Sequence, residues 1–189
     1  MGLLAKVLEA GVNIQTHTPV SEVSANSDLE GYVAVRTERG ILRAKKVIYA
    51  TNAYTAALLP DFKGKIIPVR GVCSRIVATE KLTSSLSNTY RLRQGALEYD
   101  YLIPRQDGSI IVGGARSRYF HDKDKWYENV QDDKLIENTK SYFDNYMQRT
   151  FRGWEDSGAT TSEVWTGSKR IPPCPLDHEL QSVNKFEIG

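Results

Sequence analysis

At 189 residues, with 40% hydrophobic and 25% charged residues, the chain has the balance of a folded globular protein rather than a disordered one. A formal net charge of +2 is too small, and the basic residues are too scattered, to point to nucleic acid or an anionic membrane surface. No apolar stretch approaches the roughly 18 to 20 residues that span a bilayer, and Cys73 and Cys174 are too far apart for a CxxC pair, which argues against a zinc site or a disulfide framework.

The chain opens on Leu3, Leu4, Val7 and Leu8 at helical spacing, with Gly11 as a stop; the basic and long apolar regions of a signal peptide are missing. Val12, Ile14 and Thr16 then alternate, Pro19 interrupts, and Val20 and Val23 resume, which fits two short strands or one bent strand. YVAVRTERGILRAKKVIYAT reads as two strands joined at Glu38-Arg39-Gly40. It ends in Val47 to Ala50, a continuous apolar run that suits a strand buried on both faces. A short helix is expected from Ala53 to Leu59, stopped by Pro60. Lys65 to Thr79 reads as one long strand in which Pro68 and Gly71 hint at an edge or bulge.

A polar loop, Thr83 to Thr89, leads to YDYLIPRQDGSIIVGGAR, where Gln106-Asp107-Gly108-Ser109 is one of the clearer hairpin signals. Leu135, Thr139, Tyr142, Phe143, Tyr146 and Met147 mark one face of a helix within 131–151. GATTSEVWTG reads as a strand, and Trp126, Trp154 and Trp165 read as packing residues. After Gly167 the pattern stops, and three prolines fall within residues 172–175. Hairpins with one helix-bearing insertion predict an antiparallel-rich α+β body attached to a second part.

No GxGxxG, P-loop, GxSxG elbow or HExxH occurs, so chemistry would have to come from a cofactor, and no catalytic side chain or metal ligand is assigned. His17, His121 and His178 are isolated. Three places remain. At VIYATNAYTAALLP a strand gives way to a helix: Thr51 and Asn52 either cap that helix or present the strand end to a nucleotide phosphate. In the hairpin, Tyr101 is placed across from Gly113, either as the wall of a small-molecule pocket or as plain sheet cover over a bulge. Arg70 and Arg116 each lie beside a strand segment containing glycine; each is either a carboxylate clamp or a solvated surface charge.

Four stretches, LLAKVLEAGVNIQTHTPVSEV, KKVIYATNAYTAALLP, KIIPVRG and YDYLIPRQDGSIIVGGAR, with SEVWTG as a fifth, together resemble the D-amino-acid-oxidase-like family of FAD-dependent oxidoreductases, and fungal members most. Order and spacing over about residues 1 to 167 carry the resemblance. It implies a mixed α+β and α/β fold, a partial FAD-binding Rossmann-like domain interleaved with an antiparallel-sheet substrate domain. Residues 1–64 would belong to the FAD-binding part without its Gly-rich βαβ unit and 65–157 to the substrate domain, with 158–167 a return strand and 168–189 a divergent tail. It implies FAD contacts at Val20, Ala50, Thr51, Asn52 and Ala53, and substrate contacts at Tyr101, Gly113 and Arg116.

The implied chemistry is oxidation of the C–N bond of an amine or amino acid, a hydride passing to the flavin and oxygen leaving as peroxide. The expected partner is that small molecule, with no nucleic acid and no membrane, and the expected compartment is cytoplasmic. A peroxisomal full-length relative stays open, although no C-terminal peroxisomal signal is present here. Without the pyrophosphate-binding turn, the polypeptide is expected to bind FAD poorly and to be inactive alone. The alternative is a non-catalytic interaction or small-molecule-binding α+β protein, pairing with a full-length paralogue or standing alone. Burial of the first helix and Val47 to Ala50 by residues within this chain would favour the stand-alone form.

Overall fold

The computed structural model describes residues 2–79, 86–96 and 98–171; Cys174, His178, residues 83–85 of the polar loop and residues 172–189 of the tail lie outside them. The architecture is mixed α+β with two antiparallel sheets, and the chain divides into two compact units, residues 1–50 and 51–189.

In the first unit, α1 (Gly2–Glu9) ends at Gly11, whose φ of +79° is the left-handed stop that glycine adopts without steric cost. β1 (Val20–Val23), β2 (Val33–Thr37) and β3 (Gly40–Ala44) form an antiparallel sheet in that order. β2 and β3 join through Glu38-Arg39, closed by the Thr37–Gly40 pair, as the turn signal predicts. The alternation at Val12 to Thr16 makes no strand; His17 is left-handed (φ +50°) and Pro19 follows, so pairing starts only at Val20.

Val47 to Ala50 also fails to form the expected buried strand. A strand buried on both faces needs a neighbour on each edge, but the three-stranded sheet stops at β3 and Ile48 is 90% exposed. No side chain in residues 2–50 is buried. Surface pairs such as Arg43 with Asp28 and Glu30 (2.6 and 2.7 Å) contribute little in water.

The second unit begins with a 3-10 turn at Asn52–Tyr54, α2 (Thr55–Leu58) and another 3-10 turn at Pro60–Phe62. Its sheet runs β5 (Tyr90–Arg93), β6 (Tyr99–Pro104), β7 (Ile110–Gly114), β4 (Ile67–Val77), β8 (Thr160–Ile171). β4 pairs with β8 throughout but with β7 only from Val72 onward, so Pro68 sits where one side of the strand has no ladder. The register irregularity falls at Arg75 and Ile76 rather than at Pro68 or Gly71. In place of β7, residues 126 and 127 lie along the start of β4: Val69 bridges Tyr127, and the Arg70 N–H donates to the Trp126 carbonyl at 2.7 Å.

One face of this sheet carries the core. Leu102, Val112, Ser74 and Val164 form a lateral row, and Ile136, Phe143, Tyr146, Met147 and Trp154 cover it. Each such apolar side chain stabilises the fold by about 1.5–3 kcal/mol on burial. The covering segment is not the single helix that its spacing predicts. It is a 3-10 turn at Lys140–Phe143 and then α3 (Tyr146–Thr150), broken by left-handed Asn138 and Asn145. Asparagine tolerates that conformation, so the chain folds down onto the sheet with the apolar residues inward and no continuous helix. Leu135, assigned to the same face, is exposed.

Candidate functional site

Residues paired across antiparallel strands share a face. The register therefore lines up Arg91, Tyr101, Gly113, Cys73 and Trp165 in one row across all five strands, on the face away from the core. Gly71 and Gly167 pair two residues further along the same face. The hairpin turn fixes this row: Arg105 N–H donates to Ser109 O at 2.8 Å, and Asp107 Oδ1 accepts from both the N–H and the hydroxyl of Ser109. Tyr101 thus stands directly across from Gly113, as the turn position predicts.

The Tyr101 ring fills the space that Gly113 leaves: a Cβ there would lie 2.1 Å from Cζ. Its hydroxyl is hydrogen bonded to Cys73 Sγ at 3.0 Å. Burial first, and then the Cys73 thiol, push the Tyr101 phenol well above its ordinary range, so it stays neutral and polar within the row. Gly167 is open on this face and Gly71 meets only the end of the Lys169 side chain. Trp165 is not a core residue: it lies on this outer row beside Cys73 and is 39% exposed. Together these residues make a flat, half-exposed wall of glycine, aromatic ring and thiol.

Arg116 follows the left-handed Ala115 (φ +62°) at the end of β7. Its guanidinium lies 4.2 Å from the Phe120 ring centre and 5.7 Å from that of Trp126, and these two rings stack on each other at 4.9 Å. Stacking leaves the N–H edges of a guanidinium open for a planar anion. Tyr119 is buried; burial holds its phenol up to about 12, Arg116 pulls it back, and charge on Cys73 or Asp100 pushes it further. Arg70 lies elsewhere, on the core side, donating to main-chain carbonyls.

Behind the wall sits Asp100, fully buried. Its carboxylate accepts from the Tyr142 and Tyr146 hydroxyls, each at 2.6 Å, from Gln94 at 3.4 Å and from the Ala115 N–H at 3.3 Å. A Cβ on Gly114 would lie 1.7 Å from Asp100 Oδ1, so only glycine fits there. Sequence reasoning overlooks Cys73, Tyr119 and Asp100. The signal for Asp100 is a charged residue at an inward position of the alternating YDYLIP. A cleft of about 490 Å³ opens beside this network, lined by Gln94, Arg118, Tyr142, Tyr146, Arg149 and Thr150. Arg149 in this cleft donates to the carbonyls of Tyr142 and Asp144.

The residues expected at a nucleotide fall in both units. Val20 opens β1 and is partly exposed; Ala50 closes the first unit and is exposed. In the second unit, the Thr51 hydroxyl makes no side-chain cap; it pairs with the Thr55 hydroxyl at 2.9 Å instead. Asn52 is left-handed (φ +46°) and exposed, while Ala53 is buried. The helical stretch after them is a three-residue 3-10 turn and a four-residue helix, too short to align peptide dipoles on a phosphate. Any contact from residues 51–53 to a nucleotide would therefore come from single main-chain groups rather than from a helix N-terminus. Among the described residues no cluster fits a metal ion, and no helix is long and apolar enough to cross a membrane.

The chain matches the family described as FAD dependent oxidoreductase, DAO, over residues 1–183. Among solved structures it is similar to glycine oxidase from Geobacillus kaustophilus (TM-score 0.51, 16% identity, covering 87% of this chain and 39% of that one). It is also similar to an L-amino acid deaminase from Proteus myxofaciens in complex with anthranilate (0.60, 13%, 90% and 46%). A third similar structure is NikD, an amino acid oxidase essential for nikkomycin biosynthesis (0.52, 16%, 92% and 44%). At these identities the likeness is one of fold, and the chain spans less than half the length of each. No curated protein matches it.

Proposed function

The chain belongs to the FAD-dependent oxidoreductase family, and from that premise we propose that it carries the substrate wall of an enzyme oxidising the C–N bond of an amine or amino acid. The observation that carries this reading is the Tyr101–Gly113–Cys73–Trp165 row, a flat face with one neutral hydroxyl lying over Gly113 against Cys73. FAD, when bound, would take the hydride from the substrate carbon and pass its electrons to oxygen.

This chain's own residues would do the rest. Tyr101 and Trp165 would cover the substrate and keep water away, and Gly167, which is open on this face, would let a flat group approach the sheet closely. The Tyr101 hydroxyl, held by Cys73, would hydrogen bond a polar group of the substrate. Arg116, stacked on two rings, would receive a carboxylate in two parallel hydrogen bonds. Val20 and residues 50–53 are proposed as backbone contacts to the nucleotide. With no glycine-rich turn in residues 1–189, this polypeptide by itself is expected to purify without flavin absorbance; a stoichiometric yellow protein would overturn that.

The observation that would favour a stand-alone binding domain, burial of α1 and Val47 to Ala50 within the chain, is not met: Leu3, Leu8 and Ile48 are exposed. The deciding experiment titrates the full chain with benzoate and with benzylamine while following the backbone amides of Gly71, Cys73, Gly113 and Gly167. Saturable shifts with either compound are expected. If neither moves these peaks, the sheet face is not a substrate wall.

A further inference from the structure

Arg70 is the one buried arginine or lysine among the described residues, at 7% exposure. It has no carboxylate partner within ion-pair distance. One amino group donates to the Lys125 carbonyl at 2.9 Å and the other to the Lys134 carbonyl, so the guanidinium spans two points nine residues apart. Its own backbone N–H donates to Trp126 O, and the next residue back, Val69, bridges Tyr127. The Tyr54 hydroxyl adds a fourth fastening, to Asp132 at 2.5 Å. The segment from Tyr119 to Lys134 is therefore a strap lying along the half of β4 that β7 leaves unpaired.

The strap carries Trp126 against Phe120, and those rings carry the Arg116 guanidinium. A flexible arginine on the surface loses rotamer freedom when it takes a ligand; one already stacked has lost most of it beforehand. We propose that Arg70 is a positioning residue: it fastens the strap to β4 so that Trp126 and Phe120 hold the Arg116 guanidinium ready for a carboxylate. This inference rests on the reading of Arg116 as the carboxylate partner, but its own readouts do not.

The test uses the full 15N-labelled chain. The Arg116 Nε–H peak is assigned by its loss in Arg116→Lys, and in the parent it is expected to be displaced by ring currents from Phe120 and Trp126. In Arg70→Gln the peak moves to the position of a free arginine, and trypsin cuts after Lys123, Lys125 and Lys134 about tenfold faster, since two charge-assisted hydrogen bonds are lost. Arg70→Lys, which keeps the charge and one bond, recovers part of both signals. An Arg116 peak and a cutting rate unchanged in folded Arg70→Gln overturn the proposal. Should Arg70→Gln not fold, hydrogen exchange in the parent decides: Arg70 and Tyr127 amides exchanging together, apart from the Cys73 amide, support a strap that opens as a unit. Exchange of the Arg70 amide with the rest of β4 and independently of Tyr127 overturns it. Benzoate titration is kept separate. A parent chain that binds no benzoate sinks the carboxylate reading, while the peak and the cutting rate still decide the role of Arg70.

Discussion

The Tyr101 ring lies across Gly113, where a methyl group would come within 2.1 Å of Cζ and 2.3 Å of the hydroxyl oxygen. The clash is with the far end of a side chain on a half-exposed face, and the ring can swing aside. Gly113→Ala is therefore expected to cost only about 1 kcal/mol of stability. It should still abolish the Tyr101–Cys73 contact and the benzoate-induced shifts. Urea unfolding together with the titration checks both; a large loss of stability would mean that the ring is locked.

Gly114 presents the opposite case one residue on. A methyl there would lie 1.7 Å from Asp100 Oδ1 and 2.6 Å from its carboxyl carbon. That carboxylate is fully buried and fixed by two tyrosine hydroxyls and the Ala115 N–H, so it has nowhere to go. Gly114→Ala is expected to cost about 3 kcal/mol or more. Asp100→Asn, which puts a donor among donors, should cost about as much. The two losses should not add, because both break the same network. Denaturant unfolding of the two single variants and the double variant measures this; full additivity would mean that the sites are independent.

The contrast between these neighbouring glycines also marks what was legible in the sequence. Gln106-Asp107-Gly108-Ser109 fixes the register, and period-2 alternation then places Tyr101 over Gly113. That is local information, and it was sufficient. Asp100 was out of reach because its partners Tyr142 and Tyr146 come 42 and 46 residues later. Arg70 stands out in the sequence as a clamp or a surface charge, but it is neither: it is buried on main-chain oxygens, which leave no side-chain signature. The helix expected within 131–151 fails differently. A segment pressed onto a sheet by two short turns also points every third or fourth residue inward, and only Asn138 and Asn145 betray the breaks.

Cys73 should be readable through Tyr101. Burial raises that phenol first and the thiol second, so Cys73→Ala is expected to lower the Tyr101 titration toward the ordinary range without reaching it. Cys73→Ser should not bring it back, because a serine hydroxyl carries no charge and can donate to the phenolate. Phenolate absorbance, with Tyr101→Phe subtracted, follows this one residue. An unchanged curve in Cys73→Ala would mean that the contact does not hold the hydroxyl.

Tyr119 gives a pH window. Its phenol is raised by burial to about 12 from an ordinary 10.0, so the folded chain keeps a proton that the unfolded chain releases. The stability this brings is complete below pH 10 and is lost as pH rises toward about 12. Tyr119→Phe removes that titration. The difference in stability between parent and variant should be flat up to about pH 10 and then shrink with further alkali. Urea unfolding at a series of pH values tests it, and a difference that stays constant through pH 12 would refute it.

The first unit gives the last prediction. A fold holds when apolar burial exceeds the entropy of ordering the chain, about 1–2 kcal/mol per residue for the backbone alone. Residues 2–50 bury no side chain, and Leu3, Leu8, Ile41, Leu42 and Ile48 are exposed. The β2–β3 turn and surface ion pairs cannot offset that cost. A peptide of residues 1–50 is therefore expected to show no cooperative thermal transition. In the whole polypeptide the amides of β1 to β3 should exchange far faster than those of β4 and β7, where Val72 and Val112 are sealed in the core. Protection in β1 to β3 equal to that in β4 would show that something covers this unit. The same experiment repeated with an added polypeptide carrying a glycine-rich βαβ unit would then identify the cover by the amides it protects.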